Sequence, residues 1–211
     1  AFERMQQCDD RHLRDVLRLF TVTALEIGEG QQYDMEFENR NDVTEAEYIE
    51  MIRLKTSVLL ACAVKIGALL ADAPAGDVEN LYKFGERIGL AFQLQDDYLD
   101  VYGDPKVFGK KIGGDITSNK KTYMLINALN KANARQRKEL EKWIGCRSFD
   151  RDEKVAAVTA LYSKIGVDKM AIDCINRYFD EANKYLAAVN LPGARKTELT
   201  AYAQKLLHRQ R

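Results

Sequence analysis

Apolar residues recur at intervals of three and four positions along almost the whole chain, and no stretch alternates convincingly with a period of two. This spacing is typical of amphipathic α-helices and not of strands. We therefore predict an all-α fold of about nine helices in a single domain, residues 1–211. The predicted helices cover residues 1–7, 11–27 with a further piece at 31–38, 46–70, 77–102, 122–130, 134–144, 152–165, 168–189 and 196–207.

Residues that start and stop helices set these boundaries. Asp10 and Asp77 are predicted to cap the helices that follow them, and Thr44 with Glu47 forms a capping-box pattern. Gly166 suits the end of the helix before it. Residues 103–119 carry four glycines. We predict a long irregular connection there, of a length that in compact domains is usually functional or disordered.

The composition narrows the class of protein. The chain has 32 Lys and Arg residues against 32 Asp and Glu residues, so it lacks the basic field of a nucleic-acid-binding protein. Its four cysteines are widely spaced without a CxxC pair, which excludes a zinc finger and gives no disulfide framework. No apolar run in the sequence is long enough to cross a membrane. We therefore predict a cytoplasmic protein with no nucleic-acid partner and no membrane span.

One segment carries a row of acidic side chains. On a helix, the residues Gln93, Asp96, Asp97 and Asp100 lie at positions i, i+3, i+4 and i+7, and therefore on one face. Apolar residues flank this face, which indicates that it borders an interior cavity, where neighbouring carboxylates need a cation. Oxygen ligands without nearby histidine or cysteine favour Mg²⁺ over zinc. A solvated acidic face is the alternative for an isolated pattern of this kind.

Basic residues and glycines accompany the acidic row. Lys55 lies inside an otherwise apolar helix, where an unpaired lysine is costly. The glycine-rich stretch and the residues after it contribute Lys110, Lys111, Lys120 and Lys121. Lysine binds phosphate oxygens as a point charge, so ammonium groups beside metal-binding carboxylates make a suitable site for a diphosphate. This combination favours a diphosphate site over a solvated acidic face.

These residues fall into motifs that resemble those of the trans-isoprenyl diphosphate synthases, also called polyprenyl synthetases. The most specific is Phe92-Gln93-x-x-Asp96-Asp97-x-x-Asp100, which is similar to the second aspartate-rich motif of that family. Four further patterns stand in the family's order: Gly30-Gln31-x-x-Asp34, Lys55-Thr56-Ser57, Gly109-Lys110 with Asp115, and Lys120-x-Thr122. Each is weak alone, but all five in register argue against chance, and the resemblance spans essentially the whole chain.

The resemblance implies an isoprenoid synthase-type helical bundle around a deep central cavity, in a protein that is usually a homodimer. It implies head-to-tail condensation of an allylic diphosphate (dimethylallyl, geranyl or farnesyl) with isopentenyl diphosphate, which gives a short-chain prenyl diphosphate. The implied cofactor is Mg²⁺, three ions in an intact enzyme, with Mn²⁺ able to replace it. The allylic C–O bond ionises while metal and lysine charge stabilises the leaving diphosphate, and a dry cavity protects the cation from water.

The resemblance also implies roles for particular residues. Metal binding is implied for Asp96 as the direct ligand, with Asp97, Asp100 and Asp115 in supporting positions. The diphosphate would be held by Lys55, Lys110 and Lys120, while Gln31 and Asp34 would line the cavity and anchor the lysines. Oxygens near the developing cation would come from Thr56 and Gln93, so that Lys55, Thr56 and Gln93 are the implied catalytic residues. Phe92 would pack beside the isopentenyl substrate.

One part of the family pattern has no match in these residues. The family's first aspartate-rich motif precedes an arginine pair; Asp9, Asp10 and Asp15 lack that pair and are better explained by helix capping. The chain also begins without methionine and within a helical pattern, so we expect the N-terminal helices of the fold to be missing. We expect these residues alone to be inactive. The alternatives are a catalytically silent partner subunit of an active synthase and, with less support, a terpene cyclase on the same fold.

Overall fold

The computed structural model describes residues 2–104 and 112–207. The predicted diphosphate ligand Lys110 and the basic tail at 208–211 lie outside these residues. The described ranges form helices joined by short connections and contain no strand, and no helix in them is long and apolar enough to span a membrane. The helices are α1 (Phe2–Met5), α2 (Asp10–Glu38), α3 (Glu45–Ile52), α4 (Val58–Leu70), α5 (Ala75–Tyr102), α6 (Gly114–Ser118), α7 (Tyr123–Lys131), α8 (Ala134–Gly145), α9 (Arg151–Ile165), α10 (Val167–Ala188) and α11 (Gly193–Leu207). Between α3 and α4 the chain widens into a π-helical turn, Arg53–Ser57, which we call the π-segment.

An aspartate caps the start of α2, as predicted, but the capping residue is Asp9 and not Asp10. Asp9 is the N-cap and accepts a hydrogen bond from the backbone N–H of Arg11 at 3.0 Å. Asp10, predicted to be the cap, is the first helical residue. From there α2 continues without a break for 29 residues, whereas the sequence suggested a helix followed by a further piece. The predicted capping box at the start of α3 is confirmed.

The start of α5 differs from the prediction. The helix begins two residues before Asp77, directly after Pro74, so Asp77 is not its cap. The Asp77 carboxylate is 8% exposed and accepts a hydrogen bond from the backbone N–H of Asn190 at 2.9 Å. Asp77 therefore ties the start of α5 to the end of α10. Local sequence patterns do not reveal such a long-range bond.

The glycine-rich connection after α5 is partly helical. Its last residues form α6, a single turn that the sequence pattern did not predict. Gly113 before this helix has a φ of 80°, and Asn119 after it has a φ of 53°. Both values lie in the left-handed region, which glycine adopts freely and asparagine tolerates better than most residues. The chain therefore turns sharply at each end of α6.

Helix α5 is central to the described fold, and its most extensive contacts are with α4 and α10. One core cluster includes Tyr48 of α3, Leu90 of α5 and Met124 of α7. A second cluster joins Phe84 of α5 to Leu186 of α10. Burial of these apolar side chains supplies the main driving force for folding. Because α5 is packed by several helices at once, the polar residues in its second half are held in fixed positions.

Candidate functional site

The π-segment lies against both α2 and α5 through its backbone. A Cβ atom added at Gly30 would lie 2.4 Å from the backbone N of Lys55, and one added at Gly89 would lie 2.5 Å from the Cα of Ser57. Both distances are far shorter than real Cβ contacts, so the close packing requires glycine at these two positions. The π-segment thus holds Lys55 and Thr56 between two helices. Single π-turns inside α-helices are frequent at functional sites.

Lys55 and Thr56 each pair with a predicted site residue on a neighbouring helix. The Nζ of Lys55 donates to Oδ2 of Asp34 on α2 at 2.6 Å. The Oγ1 of Thr56 donates to Oε1 of Gln93 on α5 at 3.1 Å. Both members of the ion pair are partly buried. Four of the predicted residues are therefore in direct contact, in two pairs that start from the same π-helical turn.

The Asp97 carboxylate is buried beneath this turn, with 3% exposure. One of its oxygens accepts a hydrogen bond from the hydroxyl of Tyr48, and the other accepts one from Nε2 of Gln93 at 3.4 Å. Burial raises the pKa of Asp97 to about 7, although the hydrogen bond from Tyr48 favours the charged form. Asp97 therefore links the acidic row to the Gln93–Thr56 pair.

The Asp100 carboxylate fixes the chain that follows α5. Its two oxygens accept hydrogen bonds from the backbone N–H groups of Gly114 at 3.2 Å and Asp115 at 3.0 Å. The backbone N–H of Gly113 also donates to the carbonyl oxygen of Asp100 at 2.6 Å. These three bonds hold the start of α6 against the end of α5. Asp115 is thereby brought beside the acidic row.

Lys120 supplies positive charge to the same cluster. Its side chain is partly buried, and burial alone would lower its pKa, but the carboxylates of Asp115, Asp34, Asp97 and Asp100 raise it. Burial, together with repulsion from Asp100 and other carboxylates, raises the pKa of Asp115 to about 6. The mutual influence of these groups shows that the acidic row, Asp34, Asp115 and Lys120 form one electrostatic unit.

The remaining predicted residues differ in exposure. Phe92 and Asp96 are partly buried on α5, and Gln31 is exposed on α2. A cavity of about 470 Å³ borders Asp34 and Lys120. Within residues 2–104 and 112–207, no group of three or more Asp, Glu, His and Cys side chains is close enough to hold a metal ion by itself.

Comparison with known proteins identifies the family. The family model of the polyprenyl synthetases matches residues 1–162, well over half of the chain. The chain belongs to the polyprenyl synthetase family. The five motifs that suggested this resemblance begin and end within the matched residues. The fold neighbours described next confirm the predicted all-α, isoprenoid synthase-type fold.

Three similar proteins show which members of the family this chain resembles in sequence and structure. It is 40% identical over 166 residues to the short chain isoprenyl diphosphate synthase of Methanocaldococcus jannaschii, a match that covers 78% of this chain and 50% of that protein. It is 33% identical over 214 residues to the (2E,6E)-farnesyl diphosphate synthase of Mycobacterium bovis, with 100% and 59% covered. A crystal structure of a geranylgeranyl pyrophosphate synthase superposes with a TM-score of 0.92 at 37% identity, covering 99% of this chain and 64% of that one. The chain thus spans about half the length of these curated relatives.

Tyr48 is a further residue of the candidate site, and the motifs did not reveal it. It is 1% exposed and lies on the buried side of α3 with Met51 and Ile52. The available signal was its place at a core position of an amphipathic helix, because a buried tyrosine hydroxyl needs a hydrogen-bond partner. The sequence does not say that the partner is Asp97, which lies 49 residues further along the chain.

A Tyr48→Phe variant is expected to lose stability in a pH-dependent way. The hydroxyl stabilises the charged form of Asp97, whose pKa is raised by burial to about 7. Above pH 7 the variant leaves the charged, buried Asp97 carboxylate with one hydrogen bond fewer, and we expect the free energy of unfolding to fall by about 2 kcal/mol. At pH 5.5 Asp97 is protonated in the folded state, so the expected loss is about 1 kcal/mol. Urea unfolding in EDTA buffer at pH 8 and pH 5.5 measures both values.

Tyr102→Phe is the matched control, because the Tyr102 hydroxyl lies 3.1 Å from the neutral Oγ of Ser163. We expect its loss to be below about 1 kcal/mol and equal at the two pH values. Equal losses for Tyr48→Phe at pH 8 and pH 5.5 would contradict the assigned role of Tyr48.

Proposed function

We propose that the whole protein is a prenyltransferase that joins an allylic diphosphate to isopentenyl diphosphate head to tail and releases a short-chain prenyl diphosphate. The observation that carries this proposal is the electrostatic unit of Asp34, Asp115, Lys120 and the acidic row of α5, to which Lys55 is joined through its ion pair with Asp34. A partly buried site with lysines and carboxylates together suits a diphosphate that binds with a divalent cation. The relatives named as isoprenyl, geranylgeranyl and farnesyl diphosphate synthases support this substrate class.

The donor set of the site fits Mg²⁺, with Mn²⁺ as a substitute. All candidate ligands are carboxylate oxygens, and among the described residues the carboxylates outnumber the ammonium groups: Asp34, Asp96, Asp97, Asp100 and Asp115 against Lys55 and Lys120. Mg²⁺ is typically held by one or two carboxylates, with waters and substrate phosphates completing its shell. Asp96 would be the direct ligand, with Asp97, Asp100 and Asp115 in support. When bound, the metal supplies positive charge that stabilises the leaving diphosphate.

The residues around the candidate metal ligands would bind the diphosphate, stabilise the allylic cation and contact the isopentenyl group. Lysine has three N–H donors, so Lys55 can keep its bond to Asp34 and still bind diphosphate oxygens. Lys120 would bind the same diphosphate from the other chain segment, and the oxygens of Thr56 and Gln93 would stabilise the allylic cation as it develops. Phe92 would pack against the isopentenyl group. The roles of Gln31 and Lys110, and the homodimer, stay predictions from the family resemblance.

The test of the proposed function compares two proteins. The product of the complete reading frame, incubated with Mg²⁺, labelled isopentenyl diphosphate and dimethylallyl or geranyl diphosphate, is expected to form an elongated prenyl diphosphate. The 211-residue chain alone is expected to bind Mg²⁺ with inorganic pyrophosphate in a calorimeter but not to turn over.

Each outcome of this comparison decides between the candidates. Failure of the complete product to elongate either allylic substrate, while it stimulates an active synthase, would favour the silent partner subunit. A cyclic hydrocarbon product would favour the terpene cyclase. Multiple turnover by the 211-residue chain would contradict the expectation that it is inactive alone.

A further inference from the structure

Lys154 of α9 is a charged side chain buried outside the site described above. It is 1% exposed. Its Nζ donates to Oδ1 of Asn119 at 2.7 Å and lies 4.2 Å from the centre of the Phe149 ring. Burial lowers the pKa of Lys154. Burying a lysine side chain costs free energy unless the ammonium group is paired and hydrogen-bonded. The hydrogen-bond partner of Lys154 is a neutral amide and not a carboxylate. Lys154 therefore acts on the rest of the protein through its hydrogen bond to Asn119.

Asn119 holds a left-handed turn with its side chain bonded at both ends. Its φ of 53° is a conformation that residues other than glycine adopt at a cost. Its Oδ1 accepts from Lys154, and its Nδ2 donates to the carbonyl oxygen of Ile144 at 3.1 Å. The amide group is therefore fixed by α9 on one side and by α8 on the other. We call Lys154 and Asn119 the clamp.

The left-handed turn determines where Lys120 lies. The backbone N–H of Asn119 donates to the carbonyl oxygen of Ile116 at 3.2 Å, and that of Lys120 donates to the carbonyl oxygen of Asp115 at 3.0 Å. This pair of bonds is the Schellman pattern that ends α6. Asp115 and Lys120, both predicted site residues, are thus joined through a turn whose central residue is Asn119.

We propose that Lys154 is a positioning residue that acts through Asn119: the clamp holds the left-handed turn and thereby fixes Lys120 for a metal-bound diphosphate. The ligand class rests on the proposed function, whereas the positioning step rests on the hydrogen bonds alone. A glycine at position 119 would make the clamp unnecessary, because glycine adopts positive φ without side-chain support. If Lys154 only fills space in the core, Asn119→Gly will not compensate for its loss. If Lys154 acts as the clamp, Asn119→Gly will compensate.

The test uses Lys154→Met, Asn119→Gly and the double variant, with Lys164→Met as the matched control. Lys164 is exposed on the same helix. Calorimetric titration of each folded chain with inorganic pyrophosphate in excess Mg²⁺ gives the affinity. Hydrogen exchange of the Lys120 amide reports the turn itself. We expect Lys154→Met to weaken pyrophosphate binding about tenfold and to accelerate exchange at Lys120.

The glycine variants supply the decisive comparison. Adding Asn119→Gly to Lys154→Met is expected to restore affinity to within about threefold of the unsubstituted chain. Asn119→Gly alone is expected to lie in the same range, and Lys164→Met is expected to change neither readout. If Lys154→Met leaves exchange at Lys120 unchanged, or if glycine at 119 restores nothing, the clamp is wrong while the proposed function stands. If the unsubstituted chain does not bind pyrophosphate but the exchange results are as expected, the proposed ligand fails and the clamp stands as a device of the turn alone.

Discussion

A Lys120→Met variant is expected to bind inorganic pyrophosphate with Mg²⁺ about 30-fold more weakly than the unsubstituted chain. Loss of a charge-assisted bond to a phosphate oxygen accounts for a reduction of this order. The carboxylates that raise the pKa of Lys120 would also be left with less positive charge among them. Isothermal titration calorimetry at fixed Mg²⁺ measures the change. The expected loss is larger than for the clamp variants, because the substitution removes the binding group itself.

Lys138→Met is the matched control for this experiment. Lys138 is exposed on α8, away from the acidic row. Replacing it removes the same charge from the chain and changes the net charge equally. We expect less than about a threefold change in pyrophosphate affinity, because exposed charges are screened by salt. Equal losses for both variants would mean that Lys120 contributes only to the overall potential, and the assigned diphosphate contact would be wrong.

Gly30→Ala is expected to destabilise the protein by about 3 kcal/mol. The new methyl group would meet the backbone of Lys55 and Leu54, which cannot move aside as a side chain can. Overpacking against a rigid neighbour usually has a cost of this order. For a chain of this length we expect the melting temperature to fall by about 8 °C, as differential scanning calorimetry can measure. Because Lys55 would be displaced, pyrophosphate affinity should fall in the same variant.

Gly28→Ala gives the comparison within the same helix. No atom of a neighbouring residue lies within 4 Å of the added Cβ at this position. Alanine has the higher helix propensity, so we expect a gain of about 0.5–1 kcal/mol. A loss at position 28 equal to that at position 30 would show that the two glycines matter for helix flexibility and not for the approach of the π-segment.

The fold class could be predicted, and the candidate site residues selected, because their signals are local. The helical period is visible in any window, and the row Gln93, Asp96, Asp97 and Asp100 follows from helix geometry alone. The family resemblance added Asp34, which the structure joins to Lys55 by an ion pair. These features depend on spacing within one segment or on motifs in a fixed order.

The features that were not predicted depend on contacts between segments. The π-segment contains no glycine or proline, and its signals are Gly30 and Gly89 on two other helices. Asp77 resembles a cap in the sequence but bonds to the backbone of Asn190 instead. The partners of Tyr48 and Lys154 lie 49 and 35 residues away. A single sequence does not state which distant positions meet, so these pairings required the structure.

The π-segment also has a consequence for how this stretch of chain can change in length. A π-helical turn corresponds to one residue inserted into an α-helix, and each residue of an α-helix turns the chain by about 100°. The wider turn takes up this extra residue locally, so the faces of α3 and α4 stay close to the register of one continuous α-helix. Deleting one residue from 53–57 would therefore restore a regular α-helix and leave Ala61 and Cys62 facing the core. Deleting one residue from the regular part of α4 before Ala61 would instead rotate that face away from the core by about 100°.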